Sequence, residues 1–421
     1  MKTLDNWIQH EVIPFAVDEP DAAIDQLVNS LDTSVEVLGF GEPLHGGEEF
    51  LILRNRLFQR LVEAHGYSAI AVESSFPKSH YINEYVAGRS SESYDTLKEI
   101  GFSHGFGAFE ANRELIEWMR KYNETHEVKI RFYGFDGPME ATHTDSPRQA
   151  LTFALDYLAS VDSTIEKDFR QRIEPLLGQD AAWENPAAMM DPTQSIGLTP
   201  EASALRLETE NLISELLVRR PEYIAKSDAD RYLEAMQFAS VARQLLNYHA
   251  ELARTSDERL SRLLGIRDVL MADMVTSIVT REPGKVFLFA HNSHLKHGNV
   301  EWQLGNGNVI WWPAGAQLTE IFGSRYAVIG SALGESEDNG IRQPEAGTLE
   351  ARLLATPGSV RFIPTHKELL PEVEALPVRS GSTVNYSYSP LTAQSITDFD
   401  WLVLLNSATN QRGGPPLMRQ G

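Results

Sequence analysis

Residues 35–72 read VEVLGFGEPLHGGEEFLILRNRLFQRLVEAHGYSAIAV, and this stretch decides the fold class. Residues 35–40 form a β-branched apolar run that predicts a strand, and residues 48–65 carry apolar side chains every three or four positions, which predicts a helix. Residues 67–72 predict a second strand. This order is typical of two parallel strands that are joined by a crossover helix.

The same alternation continues outward from this stretch. Further strands are predicted at residues 128–133, 286–290, 326–331, 360–364 and 401–405, whereas residues 146–281 contain only long helical patterns. We therefore predict an α/β fold, with a mainly parallel sheet flanked by helices and a large helical insertion or lobe. The predicted domains are an α/β catalytic domain of residues 1–145 and 282–421, and a helical lobe of residues 146–281.

Composition excludes several classes of protein. The 421 residues include 37 Lys and Arg against 59 Asp and Glu, and the net charge of -22 argues against binding to nucleic-acid phosphates. The absence of cysteine excludes disulfides, thiolate zinc sites and cysteine nucleophiles. Residues 1–15 predict a short amphipathic helix without the apolar stretch of a signal peptide, and no later run is long enough to span a bilayer. We expect a cytoplasmic enzyme without a membrane partner; the sequence leaves the oligomeric state open.

Polar residues follow four of the predicted strands. They are Glu42 with His45, then Glu73, Asp136, and finally His291 with Asn292. Ligands of open α/β sheets bind beyond the carboxyl ends of the strands, so these side chains would converge if the strands are neighbours. Function rests on this expected convergence.

Glu42 and His45 lie in a glycine-rich loop, GEPLHGG at residues 41–47, between a strand and a helix. An imidazole beside a carboxylate has a raised pKa and is suited to take a proton from water. The alternative is that Glu42 caps the helix and that His45 only packs. Glu73 ends an apolar run and needs a partner, for which His45 and Arg54 are the candidates. A structural ion pair of Glu73 with Arg54 or Arg56 is the alternative.

Histidines 291, 294 and 297 are spaced three apart after a strand. This spacing invites a metal site, but only a helix would keep three such residues near one face, so we predict no metal and treat His297 as a surface residue. Arg54 on the first crossover helix is expected to stabilise an oxyanion or to hold Glu73, and the alternative is a surface arginine. Asp136 is interpreted as a turn former.

No serine lies in a Gly-x-Ser-x-Gly turn between a strand and a helix, so water is the better nucleophile. The glycine-rich pieces match neither a phosphate loop nor a dinucleotide fingerprint, and no cofactor is predicted.

Five pieces of this chain, in this order, resemble the erythromycin esterase family, with the match spread from about Val35 to Gly298. The pieces are GEPLHG at residues 41–46, Val72-Glu73, WMRKYN at residues 118–123, Arg267-Asp268 with Met271-Ala272, and AHNSH at residues 290–294. Leu44, where the family often carries a small polar residue, and the second glycine Gly47 depart from the pattern and would alter the pocket.

The resemblance implies hydrolysis of a macrolide lactone or a related ester, by a water molecule that a histidine activates without a required metal, and hence a role in antibiotic resistance. Carried over, His45 is the general base, Glu42 and Glu73 orient it, and His291 is a second site histidine. Arg54, His294 and Arg267 are supporting or substrate-binding residues. A cleft lined by Phe102, Phe106, Phe109 and the helical lobe is expected to hold a large apolar ring. The alternatives are a metal-dependent hydrolase that uses Glu73, His291 and His294, and a non-catalytic binder of a hydrophobic ligand.

Overall fold

A computed structural model describes residues 4, 7, 11–139, 143–304, 307–365 and 371–415 of the chain. Most of the predicted helix over residues 1–15 lies outside these described residues, and its last part, Ile13–Phe15, forms a strand.

Ten strands are found in this described part of the chain. They are β1 (Ile13–Phe15), β2 (Val37–Glu42), β3 (Tyr67–Ser75), β4 (Arg131–Asp136), β5 (Lys285–His291), β6 (Val300–Leu304), β7 (Gly307–Trp311), β8 (Tyr326–Glu335), β9 (Val360–Pro364) and β10 (Trp401–Ser407). Eight of them form one sheet in the order β1-β9-β10-β8-β2-β5-β3-β4. Neighbours from β10 to β4 are parallel, and β9 runs antiparallel to β10 and to β1. The strands β6 and β7 form a separate hairpin.

Helices cover both faces of the large sheet. The α-helices of the described residues are α1 (Asp21–Ser30), α2 (Glu48–His65), α3 (Phe76–Val86), α4 (Tyr94–Ile100), α5 (Glu110–Thr125), α6 (Arg148–Val161), α7 (Ser163–Leu177), α8 (Asp180–Trp183), α9 (Pro200–Val218), α10 (Arg220–Lys226), α11 (Ala229–Leu252), α12 (Arg259–Arg281), α13 (Asn292–Leu295), α14 (Ala314–Phe322), α15 (Leu349–Leu354), α16 (Pro371–Glu374) and α17 (Ser395–Asp398). Those from α6 to α12 form the predicted helical segment.

The central strands are buried on both faces. Successive side chains of a strand point to opposite faces, so Val286 and Leu288 of β5 join the core that includes the helical segment, whereas Phe287 and Phe289 join the core under α2 and α5. Strands that are covered on both sides read as continuous apolar runs, which is why the sequence predicted them. The predicted fold class is confirmed.

Several strands extend beyond their predicted ends. The strand β2 includes Glu42, β3 runs to Ser75, and β4 runs to Asp136, because these polar residues are buried and continue the backbone pairing. The hairpin of β6 and β7 was not predicted. The division into domains of residues 1–145 with 282–421 and of residues 146–281 stays a prediction. None of the described helices combines the length and the apolar character needed to cross a membrane.

Candidate active site

The carboxyl ends of β2, β5, β3 and β4 lie side by side at one edge of the sheet. Glu42 at the end of β2 pairs with His291 at the end of β5, and Ser75 of β3 pairs with Asp136 of β4. The polar residues that follow separate strands in the sequence are therefore brought together, as the strand order of an open α/β sheet requires.

Two glycines shape the end of β2 and the loop that leads from it to α2. Gly41 passes so close to Asn292 that a Cβ atom there would lie 2.4 Å from its Oδ1. That Asn292 side chain bonds the backbone N–H and C=O of Ser331 in β8, at 3.0 and 2.8 Å. Gly46 has a φ of +89°, a conformation that side chains rarely adopt. The loop can therefore turn directly after the strand and direct His45 toward the strand ends.

His45 binds Glu42 through one ring nitrogen. Its Nδ1 lies 2.7 Å from Glu42 Oε1, and its side chain is 30% exposed. Burial alone would lower the pKa of His45, but the hydrogen bond to Glu42 and the negative charge of Glu73 raise it. Because Nδ1–H donates to the carboxylate, the lone pair of the neutral ring lies on Nε2, for which no hydrogen bond is found within the described residues.

Glu42 is buried, and burial is the main reason that its pKa is raised, against the opposing effect of the His45 hydrogen bond. Its Oε1 binds His45, whereas its Oε2 has no hydrogen-bond partner among the described residues. Glu42 thus binds His45 through one carboxylate oxygen. Its side chain also lines a small internal cavity.

Glu73 is held on three sides. Its Oε1 lies 3.1 Å from Arg267 Nη2 and 3.4 Å from His294 Nε2, and its Oε2 accepts a 2.8 Å hydrogen bond from the backbone N–H of His291. Burial alone would raise the pKa of Glu73, but the charges of His294, His45 and Arg267 hold it well below its ordinary value. Glu73 is therefore a fixed negative charge beside His45.

Asp136 is buried, and it pairs with Arg267 through Oδ1 at 2.9 Å and Oδ2 at 2.6 Å. Burial would raise the pKa of Asp136, and the charge of Arg267 lowers it to about 2. The interpretation of Asp136 as only a turn former is wrong: it does accept a bond from Gly137 N, but it also anchors the guanidinium that holds Glu73.

His294 is a buried cation. Its Nδ1 lies 2.7 Å from Asp268 Oδ1, and Asp268 also accepts bonds from Trp311 Nε1 and from Ala314 N at the start of α14. Burial would lower the pKa of His294, but Asp268 and Glu73 raise it to about 10. At neutral pH His294 is protonated and unable to accept a proton.

His291 is neutral, with both ring nitrogens occupied. Its Nε2–H donates to Ser387 O at 2.8 Å, and its Nδ1 accepts from Ser293 Oγ at 2.7 Å and Ser293 N at 3.2 Å. Burial and the nearby charge of His45 lower the pKa of His291 to about 3. His297, in contrast to the prediction of a surface residue, is partly buried between Thr319 and Asp400.

Arg54 does not hold Glu73, so that part of the prediction is wrong. It is buried, donates to Asn55 Oδ1 from Nε and Nη2, and lies over the ring of Phe289 at 4.9 Å. Burial lowers the pKa of Arg54 to about 10. Arg54 packs against the site from the side of α2, where it lines the same internal cavity as Glu42 and Glu73.

The predicted phenylalanine cleft is an internal cavity. Phe102, Phe106 and Phe109 line it, but the centre of a water molecule has only about 20 Å³ of room there. This is about the space of one water molecule, so the cavity cannot hold a large apolar ring. Phe106 instead contacts the catalytic candidate directly, with its ring centroid 5.1 Å from that of His45.

One group of residues has the spacing of a metal site. Donor atoms of Glu73, His104 and Asp136 lie within 4.8 Å of one another. The same two carboxylates already bind the guanidinium of Arg267, which a metal ion would have to displace. The other predicted set fits no better, because the ring nitrogens of His291 are occupied, and Glu73 and His294 neutralise each other.

The erythromycin esterase family model matches residues 62–406. The chain belongs to the erythromycin esterase family. An erythromycin esterase type II from Escherichia coli is 26% identical over 342 residues, which cover 77% of this chain and 76% of that protein. A Bacillus cereus protein of solved structure shares the fold with a TM-score of 0.75 at 17% identity, covering 98% of each chain. A mutant of the erythromycin esterase EreC in its open conformation has a TM-score of 0.65 at 19% identity, covering 93% of this chain and 94% of the other.

Membership in the erythromycin esterase family supports hydrolase activity and confirms the resemblance. In this erythromycin esterase family member, the predicted site residues Glu42, His45, Glu73, His291 and His294 lie together. Arg267 binds Glu73, and Arg54 lines the adjacent cavity.

The sequence analysis did not identify Asp268 as the partner of His294. It also did not identify Ser387, which binds both His45 and His291. The pair Arg267-Asp268, two charges inside an apolar helix pattern, was the available signal for Asp268. No pattern marks Ser387.

Proposed function

We propose that this protein hydrolyses a carboxylic ester, and in particular a macrolide lactone, with a water molecule that His45 activates. One observation carries the proposal: His45 binds Glu42 through Nδ1, is partly exposed, and keeps Nε2 without a hydrogen bond among the described residues. His291 and His294 lack such an open nitrogen, since the first is saturated by Ser387 and Ser293 and the second is a paired cation.

The reaction follows from this arrangement. Nε2 of His45 takes a proton from water as the water oxygen forms a bond to the carbonyl carbon. The imidazolium that results is stabilised by Glu42 at 2.7 Å and by the fixed charge of Glu73. When the bond between the carbonyl carbon and the alkoxy oxygen breaks, His45 returns its proton to that oxygen, which leaves a carboxylic acid and an alcohol.

The supporting residues keep these charges in place. Arg267 and His294 hold Glu73, Asp136 holds Arg267, and Asp268 holds His294. Each of these charges thus has an opposite partner, which a buried charge needs in order to stay ionised. We assign Arg267, His294 and Arg54 to the support of the site.

The substrate must reach His45 from its exposed side, because the cavity behind it holds about one water molecule. A large ring that stays outside and presents its ester bond to His45 fits this geometry. The related proteins named erythromycin esterases support a macrolide as that ring. Hydrolysis of a macrolide in the cytoplasm would give antibiotic resistance, and we propose that role and that location.

Incubation with erythromycin in water enriched in ¹⁸O, followed by mass spectrometry, tests the proposal. We expect one added water whose heavy oxygen resides in the new carboxyl group. His45→Asn should lower kcat by roughly a hundredfold or more, as expected for loss of a general base. His126→Asn, at an exposed position, should retain activity.

Three results would overturn the proposal. The first is full activity of His45→Asn. The second is an unchanged ligand mass, with a panel of simpler esters also intact, which would favour a non-catalytic binder. The third is stoichiometric metal with activity that a chelator abolishes, which would favour the metal-dependent alternative.

A further inference from the structure

A segment far from the predicted site in the sequence binds both the His45 loop and His291. This segment consists of residues 385–389, which read NYSYS. The backbone N–H of His45 donates to Ser387 Oγ, Asn385 Nδ2 donates to the C=O of His45, and Ser389 N donates to the C=O of Pro43, each at 2.8 Å. The segment thus lies along the loop that carries the proposed base.

Asn385 and Ser387 bind each other as well as His45. The Ser387 hydroxyl donates to Asn385 Oδ1 at 2.6 Å, and Ser387 N donates to the same oxygen at 3.0 Å. Asn385 Nδ2 also reaches Asn339 Oδ1 at 2.8 Å, and Asn385 is buried. Both backbone polar groups of His45 are therefore held by two side chains that fix each other.

This support matters because His45 lies outside any regular helix or strand. The backbone hydrogen bonds of such a loop have no repeating ladder to hold them, and the adjacent Gly46 is conformationally free. The direction of the imidazole depends on the backbone of His45. Its 2.7 Å bond to Glu42 Oε1 is made with the backbone in this position.

The same segment fixes the tautomer of His291. The carbonyl of Ser387 accepts from Nε2–H, which leaves Nδ1 to accept from Ser293. The two rings are 5.3 Å apart, so a protonated His291 would place a positive charge beside His45 and oppose its protonation during the reaction. Burial keeps His291 neutral, and the Ser387 carbonyl fixes the proton of the neutral ring on Nε2, so that the ring keeps one orientation beside His45.

We propose that Asn385 and Ser387 are positioning residues of this hydrolase, which hold the backbone of His45 and the neutral tautomer of His291 in the geometry that proton transfer needs. The proposal rests on the proposed function, in which His45 is the base. Neither residue needs to contact the substrate.

The test compares four variants with the wild type. Ser387→Ala removes the acceptor for His45 N, and Asn385→Asp removes the donor to His45 O while keeping a similar shape. Ser387→Thr retains the hydroxyl and should restore activity. Thr383→Ala, at an exposed position just before the segment, is the control.

In ester hydrolysis, the variants that remove a hydrogen bond to His45 should have a lower kcat and an unchanged KM. We expect Ser387→Ala and Asn385→Asp to lower kcat by about tenfold each, the range of a lost buried hydrogen bond. The acid limb of the pH profile should move to lower pH in Ser387→Ala as the contact of His45 with Glu42 loosens, whereas the negative charge that Asn385→Asp introduces raises the pKa of His45 and opposes this shift. Thr383→Ala and Ser387→Thr should remain near the wild type.

A measurement without substrate separates this proposal from the proposed function. In ¹⁵N-histidine NMR spectra, wild-type His291 should be the Nε2–H tautomer at pH 7, and the titration of His45 should move in Ser387→Ala and Asn385→Asp. If no ester is hydrolysed but these titrations move, the positioning role stands and the function falls. Unchanged His45 titration and unchanged kcat in both variants would overturn the positioning role, as would an Nδ1–H tautomer of wild-type His291.

Discussion

The guanidinium of Arg267 binds the carboxylate of Asp136 through two parallel hydrogen bonds, of 2.9 Å from Nε to Oδ1 and 2.6 Å from Nη2 to Oδ2. The same Nη2 lies 3.1 Å from Glu73 Oε1. One arginine of the long helix α12 thus joins the ends of two strands, β3 and β4. A fork of fixed donors suits this task better than the single ammonium of lysine.

Loss of Arg267 should therefore be costly. Arg267→Ala removes the guanidinium that Asp136 and Glu73 share and leaves Glu73 with His294 as its cation, and we expect the free energy of unfolding to fall by about 3–5 kcal/mol. Arg267→Lys should recover only part of the loss, because one ammonium cannot reproduce the fork. Chemical denaturation measures the effect, with Arg113→Ala, in an exposed ion pair with Glu117, as the control. A loss no larger than that of the control would contradict the assigned role.

Replacing Glu42 by glutamine should change the pH dependence of activity. The Glu42 hydrogen bond raises the pKa of His45, and only the neutral ring can act as the base, so wild-type activity should rise with pH through a limb above pH 6.5. In Glu42→Gln the pKa of His45 falls, so the limb of kcat/KM should move to lower pH while the plateau drops by about tenfold or more. Glu63→Gln, on an exposed turn of α2, should leave the profile unchanged. A limb that stays in place would refute the pairing.

His249 should make the protein sensitive to acid. It is buried, donates from Nε2 to the C=O of Asp145 at 2.9 Å, and burial lowers its pKa to about 4. Below pH 6.5 the unfolded chain binds a proton at this residue that the folded chain does not bind, so the free energy of unfolding falls between about pH 6.5 and pH 4. The difference between these pKa values corresponds to about 3 kcal/mol.

Denaturation of His249→Gln at several pH values in this range tests that expectation. The variant should show a shallower decline with falling pH than the wild type, whatever its stability at pH 7. The exposed variant His126→Gln should follow the wild type. Parallel declines in all three proteins would show that His249 does not titrate as expected.

Two glycines should respond in opposite directions to alanine. A Cβ atom at Gly134 in β4 would lie 2.3 Å from the backbone oxygen of Ser74, so Gly134→Ala should destabilise the fold by about 1–3 kcal/mol. A Cβ atom at Gly265, inside α12, meets no atom within 4 Å, so Gly265→Ala should stabilise by about 0.5–1 kcal/mol. Thermal unfolding measures both, and a fall in Tm for Gly265→Ala would be unexpected.

The sequence predicted the framework of the site because buried parallel strands leave a clear pattern. An apolar run that stops at a polar residue marks the point where a strand reaches the edge of the sheet, and Glu42, Glu73 and His291 were found in this way. The carboxyl ends of these strands were predicted too early in the chain. Glu42 and Asp136 are polar and were assigned to loops, whereas both continue the backbone pairing of their strands.

The partners of these residues were harder to predict. Arg54 and Arg267 both lie on helices, and which of them reaches Glu73 depends on how α12 packs over the strand ends. That packing is a property of the tertiary structure and has no local sequence pattern. Asn385 and Ser387 are common loop residues, so nothing in their composition separates them from the serines and asparagines of other turns.

The hydrogen bonds between residues 385–389 and His45 also have a consequence for the biosynthesis of the protein. A ribosome makes the loop of His45 early and Ser387 near the end of translation, so the nascent chain holds every proposed proton-transfer group long before the loop is supported. Premature termination shortly before Asn385 would yield a polypeptide that retains Glu42, His45, Glu73 and His291 but lacks both this segment and the sheet strand β10.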